Sequence, residues 1–126
     1  MLPAVVSGIA KLRDLTGRES LLEFTKVCSF IHAEDESSFD FPTYSLTLVL
    51  ESQKSSDNYR ISIRFENVVQ LKVSEFGYRY LCGLDIADVS DRQLENIGLE
   101  VFDYENEAIS FYCRSAAIES VEPVYS

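Results

Sequence analysis

Between positions 85 and 107 the chain places eight carboxylates, Asp85, Asp88, Asp91, Glu95, Glu100, Asp103, Glu105 and Glu107, against one cation, Arg92. Acids at this density can act as general acid and base if they converge in a pocket, or attract a basic partner if they spread over a surface. A charge-rich set with no pocket signature reads as a solvated face. Metal sites need several His, Cys or carboxylate ligands at characteristic spacings, and no such cluster occurs, so no metal or other cofactor is expected. Cys28 and the single histidine, His32, share a face whether their segment is strand or helix, but no oxyanion loop or orienting third residue accompanies them. Glycines 8, 17, 77, 83 and 98 are isolated, which leaves no phosphate-cradling loop. Arg60 and Arg64 lie on one side of a strand-like run, where Glu51 or Glu66 can pair with them. The inventory favours a binding protein over an enzyme.

The formal charge is -10, and residues 81–126 carry most of it, with ten acidic side chains against two basic ones. Such a surface repels a phosphate backbone and attracts a basic protein, so a protein partner is expected and nucleic acid is not. Acidity also serves simple solubility. The cysteines, Cys28, Cys82 and Cys113, are odd in number and contain no CxxC pair, as suits a reducing cytoplasm. Cys82 and Cys113 sit in apolar strand-like contexts and read as small buried hydrophobes. The N-terminal run LPAVVSGIAKL is too short and too weakly apolar to span a membrane, and it lacks the basic leader of a secretory signal.

The elements that must position these groups are mostly strands. Length and composition fit one domain over residues 1–126, and 15 aromatics (8 Phe, 7 Tyr) among many Val and Ile tilt it toward sheet. Pro3 with Val5, Ile9, Leu12 and Leu15 predicts a helix over 3–15, stopped by Gly17. Cys28, Phe30 and His32 hint at a strand, and Ser37–Thr43 reads as a loop. Tyr44, Leu46, Leu48 and Leu50 alternate with polar neighbours, as do Tyr59, Ile61, Ile63 and Phe65; the polar link 52–58 joins them as an antiparallel hairpin. Leu71 and Val73 keep the same phase, but an unbroken strand from 59 to 73 would run about 50 Å, so a break or bulge is expected at Asn67. Phe76-Gly77 marks a turn and Leu81–Ile86 a strand. Ser90 with Gln93 resembles a capping box for a short helix near 91–97, ended by Gly98. Leu99–Tyr104 and Ala108–Cys113 form a second hairpin, with a bulge expected between Val101 and Phe102 where the apolar phase slips. Residues 116–121 add a last strand. The class is α+β: a mainly antiparallel sheet with an N-terminal helix and a short helix near 91–97.

Three segments carry a resemblance. They are the alternating strand ending in Phe65-Glu66-Asn67-Val68, the segment Gly83-Leu84-Asp85-Ile86, and the hairpin Tyr104-Glu105-Asn106 before Phe111-Tyr112-Cys113. Together they make residues 44–114 similar to small bacterial immunity proteins of polymorphic toxin and contact-dependent growth-inhibition systems. The resemblance implies a cytoplasmic inhibitor that binds a cognate toxin domain, often a nuclease with a basic substrate channel. It transfers no motif of binding residues. An acidic protein can present carboxylates where phosphates would lie, with aromatics as desolvated anchors.

The partner surface expected from these arguments comprises Asp85, Asp88, Asp91, Glu95, Asp103, Tyr104, Glu105, Glu107 and Tyr112. It centres on the helical turn and the second hairpin. Phe102 and Tyr78 are further aromatic candidates, for which core packing is the competing reading. Glu34, Asp35 and Glu36 form a second acidic group. Two other functions fit the same residues. An acidic adaptor or chaperone would accept several basic clients, and a small carboxylate-dependent enzyme would need convergent acids in a concave site.

Overall fold

The computed structural model describes residues 2–35, 42–54, 57–74, 79–92, 96–103 and 108–124. Eight strands form two four-stranded antiparallel sheets, β1-β2-β3-β8 and β4-β7-β6-β5, beside one N-terminal helix. The strands are β1 (Phe24–Glu34), β2 (Tyr44–Ser52), β3 (Tyr59–Glu66), β4 (Val69–Val73), β5 (Leu84–Asp88), β6 (Leu99–Asp103), β7 (Ile109–Cys113) and β8 (Ser115–Pro123). The α+β expectation holds.

The central hairpin follows directly from its alternation. Leu46, Leu48 and Leu50 on β2 stand opposite Phe65, Ile63 and Ile61 on β3, and all six are fully buried. Beyond Phe65 the strand does break at Asn67, whose φ of 54° is left-handed. Val68 turns inward and β4 resumes in the second sheet. Its partner bends at the same level: β7 ends at Cys113 and β8 begins at Ser115, so β3–β4 and β8–β7 form one long ribbon that changes sheets at a corner. Such corners let two sheets share a core. Arg114 N donates to Glu66 O at 2.9 Å and Asn67 Nδ2 donates to Asn96 O at 3.0 Å, which fastens the bend. Across it Phe65 and Phe111 meet edge to face, 4.9 Å between centroids.

The far edges of the sheets are also joined. Val27 N donates to Arg79 O and Leu81 N to Thr25 O, so the segment entering β5 first pairs with the outer edge of β1. The chain then crosses to the second sheet through Cys82-Gly83, where a Cβ on Gly83 would press against Leu22 O at 3.0 Å. Asp103, at the end of β6, holds this crossing. It is 1 % exposed. Its Oδ1 accepts from Cys82 N at 2.9 Å and Gly83 N at 3.0 Å, and its Oδ2 accepts from Ala108 N at 3.3 Å.

Several expectations change. The helix α1 covers Ile9–Thr16 and does not start near Pro3, because Ser7 is drawn into a parallel bridge with Ala117 of β8. Gly8 follows at φ 82°, where a Cβ would collide with the Ile118 carbonyl. Of the expected stripe, Val5 (63 %) and Leu15 (43 %) face solvent, Leu12 is buried and Ile9 packs against the core, while Val6, outside the stripe, is buried. β6 and β7 pair in regular register with no bulge at Val101/Phe102. Ser90 opens a 3₁₀ turn, Ser90–Arg92, and Asp88 accepts its amide; Gln93, its expected capping partner, is not among the described residues. Residues 93–95 lie outside the described residues. The strand expected over 81–86 is displaced to 84–88 by the Cys82-Gly83 crossing. Cys82 is exposed, whereas Cys113 is buried as expected, and all three cysteines are thiols.

Two outcomes test this framework. Replacing Asp103 with Asn turns one acceptor oxygen into an N–H₂ that must face either the Ala108 amide or those of Cys82 and Gly83, so stability should fall by about 2–4 kcal/mol in urea denaturation. Burial pushes the Cys113 thiol up to about 12 from an ordinary 9.0. Because the folded pKa is the raised one, this contribution is complete below pH 9.0 and is lost as the pH rises toward about 12. Across that interval wild type should lose stability more steeply than Cys113→Ala, by up to roughly 1.4 kcal/mol per pH unit.

Candidate functional site

Along β5, β6 and β7 the buried positions are Leu84 and Ile86, then Leu99, Val101 and Asp103, then Ile109, Phe111 and Cys113. A strand sends alternate side chains to opposite faces, so Asp85, Ala87, Glu100, Phe102, Ser110 and Tyr112 share the outward face, all half-buried. The register aligns them in two rows. Asp85, Phe102 and Ser110 are direct neighbours, continued by Lys72 on β4; Ala87, Glu100 and Tyr112 are the next row, continued by Val69. In each row a carboxylate stands directly opposite an aromatic ring, Asp85 by Phe102 and Glu100 by Tyr112. Direct cross-strand partners hold their Cβ atoms about 4.5–5.5 Å apart.

The rim of this face at the end of β5 is acidic. Asp88 is exposed, and its Oδ1 accepts from Ser90 Oγ at 2.6 Å and Ser90 N at 2.9 Å. These two bonds, the hydroxyl's first, hold its carboxyl below the usual range. Asp91 is exposed in the 3₁₀ turn, and Arg92 Nη1 lies 4.0 Å from Glu100 Oε1. At the opposite end of the same strands Leu84 pairs with Asp103. The two ends are four residues apart, about 14 Å.

The structure therefore divides the expected surface. Asp85 and Tyr112 come together on one face, and Asp88 and Asp91 flank it. Asp103 does not reach solvent, because both of its oxygens are engaged by backbone amides inside the fold. Glu95, Tyr104, Glu105 and Glu107 lie outside the described residues, as do Tyr78 and Glu36. Glu100 and Phe102 belong to this face and were not in the expected patch. Their parity shows it: they are out of phase with Leu99 and Val101. In the second acidic group, Glu34 is exposed and Asp35 is paired with Arg64 at 3.2 Å.

The thiol and the imidazole have separate partners. Cys28 Sγ donates to Glu51 Oε2 at 3.1 Å, and His32 stacks on Tyr44 with centroids 5.4 Å apart. Burial first, then the bond to Glu51 and its charge, push the Cys28 thiol up, opposite to what an attacking thiolate requires. Glu51 is held low by Cys28 and by Arg60, whose Nη2 lies 2.7 Å away. Among the described residues no group of three or more His, Cys, Asp or Glu is arranged to hold a metal ion. Nor is any helix of the described residues long and apolar enough to cross a membrane.

The family model for Immunity protein PIM8 matches residues 7–119, and the chain belongs to that family. No curated protein and no solved structure matches it.

Asp85 Oδ1 accepts from the next residue's amide, Ile86 N, at 2.8 Å, and Glu100 is paired only at 4.0 Å with Arg92, so charge reversal on this face should leave the fold intact. Asp85→Lys and Glu100→Lys should each change stability by less than about 1 kcal/mol in thermal melting, whereas Asp103→Lys should abolish the cooperative transition.

Proposed function

We propose that this immunity protein neutralises one cognate bacterial toxin, a nuclease, by laying the outward face of β5, β6 and β7 across the toxin's cationic substrate channel. Family membership supports a toxin partner. The observation that carries the choice of surface is the placement of Asp85 and Glu100 beside Phe102 and Tyr112 on one half-buried face, rimmed by Asp88 and Asp91. Carboxylates supply steering and charge complementarity, and partly buried rings supply contact area that excludes water. Inhibition is by occupancy and uses no chemistry of the chain's own. It takes place in the cytoplasm, where a nuclease delivered from a neighbouring cell would meet its substrate.

Growth rescue tests this. Cells expressing the cognate toxin domain should survive with wild type and die with the folded Asp85→Lys/Glu100→Lys double variant. Association with that toxin should slow steeply as salt rises. Full rescue by the double variant would remove this face from the mechanism.

A further inference from the structure

The outward face has a repeated unit. In each row the carboxylate sits one strand before the ring: Asp85 on β5 opposite Phe102 on β6, and Glu100 on β6 opposite Tyr112 on β7. One strand sideways and two residues along takes the first pair onto the second. With neighbouring strands about 4.8 Å apart and a rise of about 3.4 Å per residue, the two pairs are related by a shift of roughly 8 Å. A carboxylate beside an aromatic ring is a specific chemical receptor. A planar guanidinium can lie on the ring while its N–H groups reach the carboxylate, whereas an ammonium is a more strongly hydrated point charge without that planar fit.

The chain holds one guanidinium at this face already. Arg92 Nη1 is 4.0 Å from Glu100 Oε1, and the arginine side chain is 55 % exposed. At that distance and exposure the pairing is weak, so an incoming arginine can displace it. The face is also set apart by charge: Asp85, Asp88, Asp91 and Glu100 outnumber Lys72 and Arg92 around it. A cationic protein surface is thus the complement, and the rings select which cation.

Building on the toxin-binding reading above, we propose that the pairs Asp85–Phe102 and Glu100–Tyr112 are two receptors for arginine side chains of the toxin, held roughly 8 Å apart. Each receptor takes one guanidinium, and Arg92 is the internal occupant that the second arginine replaces.

The test uses the full chain, isotopically labelled, titrated with acetyl-Arg-Gly-Arg-amide and separately with acetyl-Lys-Gly-Lys-amide. The arginine peptide should bind at least threefold more tightly, with the largest shifts at Asp85, Glu100, Phe102 and Tyr112. Phe102→Leu keeps the charge and removes one ring, so it should reduce the preference for arginine and leave lysine-peptide affinity unchanged, and Phe102→Leu/Tyr112→Leu should abolish the preference. Tyr112→Leu reads the second receptor in the same way should Phe102→Leu lose its dispersed spectrum. Equal affinity for the two peptides, or shifts centred on another surface, would overturn the inference. Growth rescue separates the two proposals. Peptide indifference with rescue still sensitive to Asp85→Lys/Glu100→Lys removes the arginine receptors alone, whereas arginine selectivity with rescue insensitive to that variant removes the toxin-blocking role of the face.

Discussion

Three backbone amides converge on the buried carboxylate of Asp103, and the arrangement of both sheets depends on that convergence. Cys82 and Gly83 supply two of them at the point where the chain leaves the edge of β1 and enters β5; Ala108 supplies the third at the start of β7. A charged group this deep is costly unless it is hydrogen-bonded, and here the donors are main-chain amides. One side chain thus joins the edge of the first sheet, the entry to β5 at the edge of the second, and the strands β6 and β7.

The opposite side of the molecule is held by continuity of the chain itself. The ribbon of β3–β4 against β8–β7 crosses from one sheet to the other, with Asn67 in the left-handed region and Arg114 donating to Glu66 at the bend. The Phe65–Phe111 contact fills the space beneath it. With a covalent corner on one side and the Asp103 crossing on the other, the two sheets are fixed around a single core. The outward faces are then left to carry side chains chosen for other reasons.

On the outward face of β5, β6 and β7 those side chains are acids facing rings. A folded chain gains little stability from Phe102 and Tyr112 at half-buried positions, and nothing in the register requires carboxylates opposite them. The proposed toxin-binding role would give such a face its reason, since charge and desolvated contact are what an inhibitory surface uses. The other titratable clusters have local uses. Glu51 ties Cys28 to Arg60, and Arg64 sits between Asp35 and Glu66 on the first sheet.

The sequence by itself determined the β2–β3 hairpin, the break at Asn67, the α+β class and the acidic character of the last third. Each rests on local information: a period-two pattern, an impossible strand length, or composition. Parity even carried the answer for Asp103, which is in phase with Leu99 and Val101, but charge argued against burial and nothing local showed three amides waiting for it. Only the tertiary structure decided that Ser7 would pair with β8 and shorten the helix, that Cys82-Gly83 would cross between sheets, and that Phe102 would stand beside Asp85. These depend on partners 17 or more residues away, from Asp85 and Phe102 to Ser7 and Ala117. A strand's own pattern tells which side chains share a face, while pairing between distant strands tells what stands next to them.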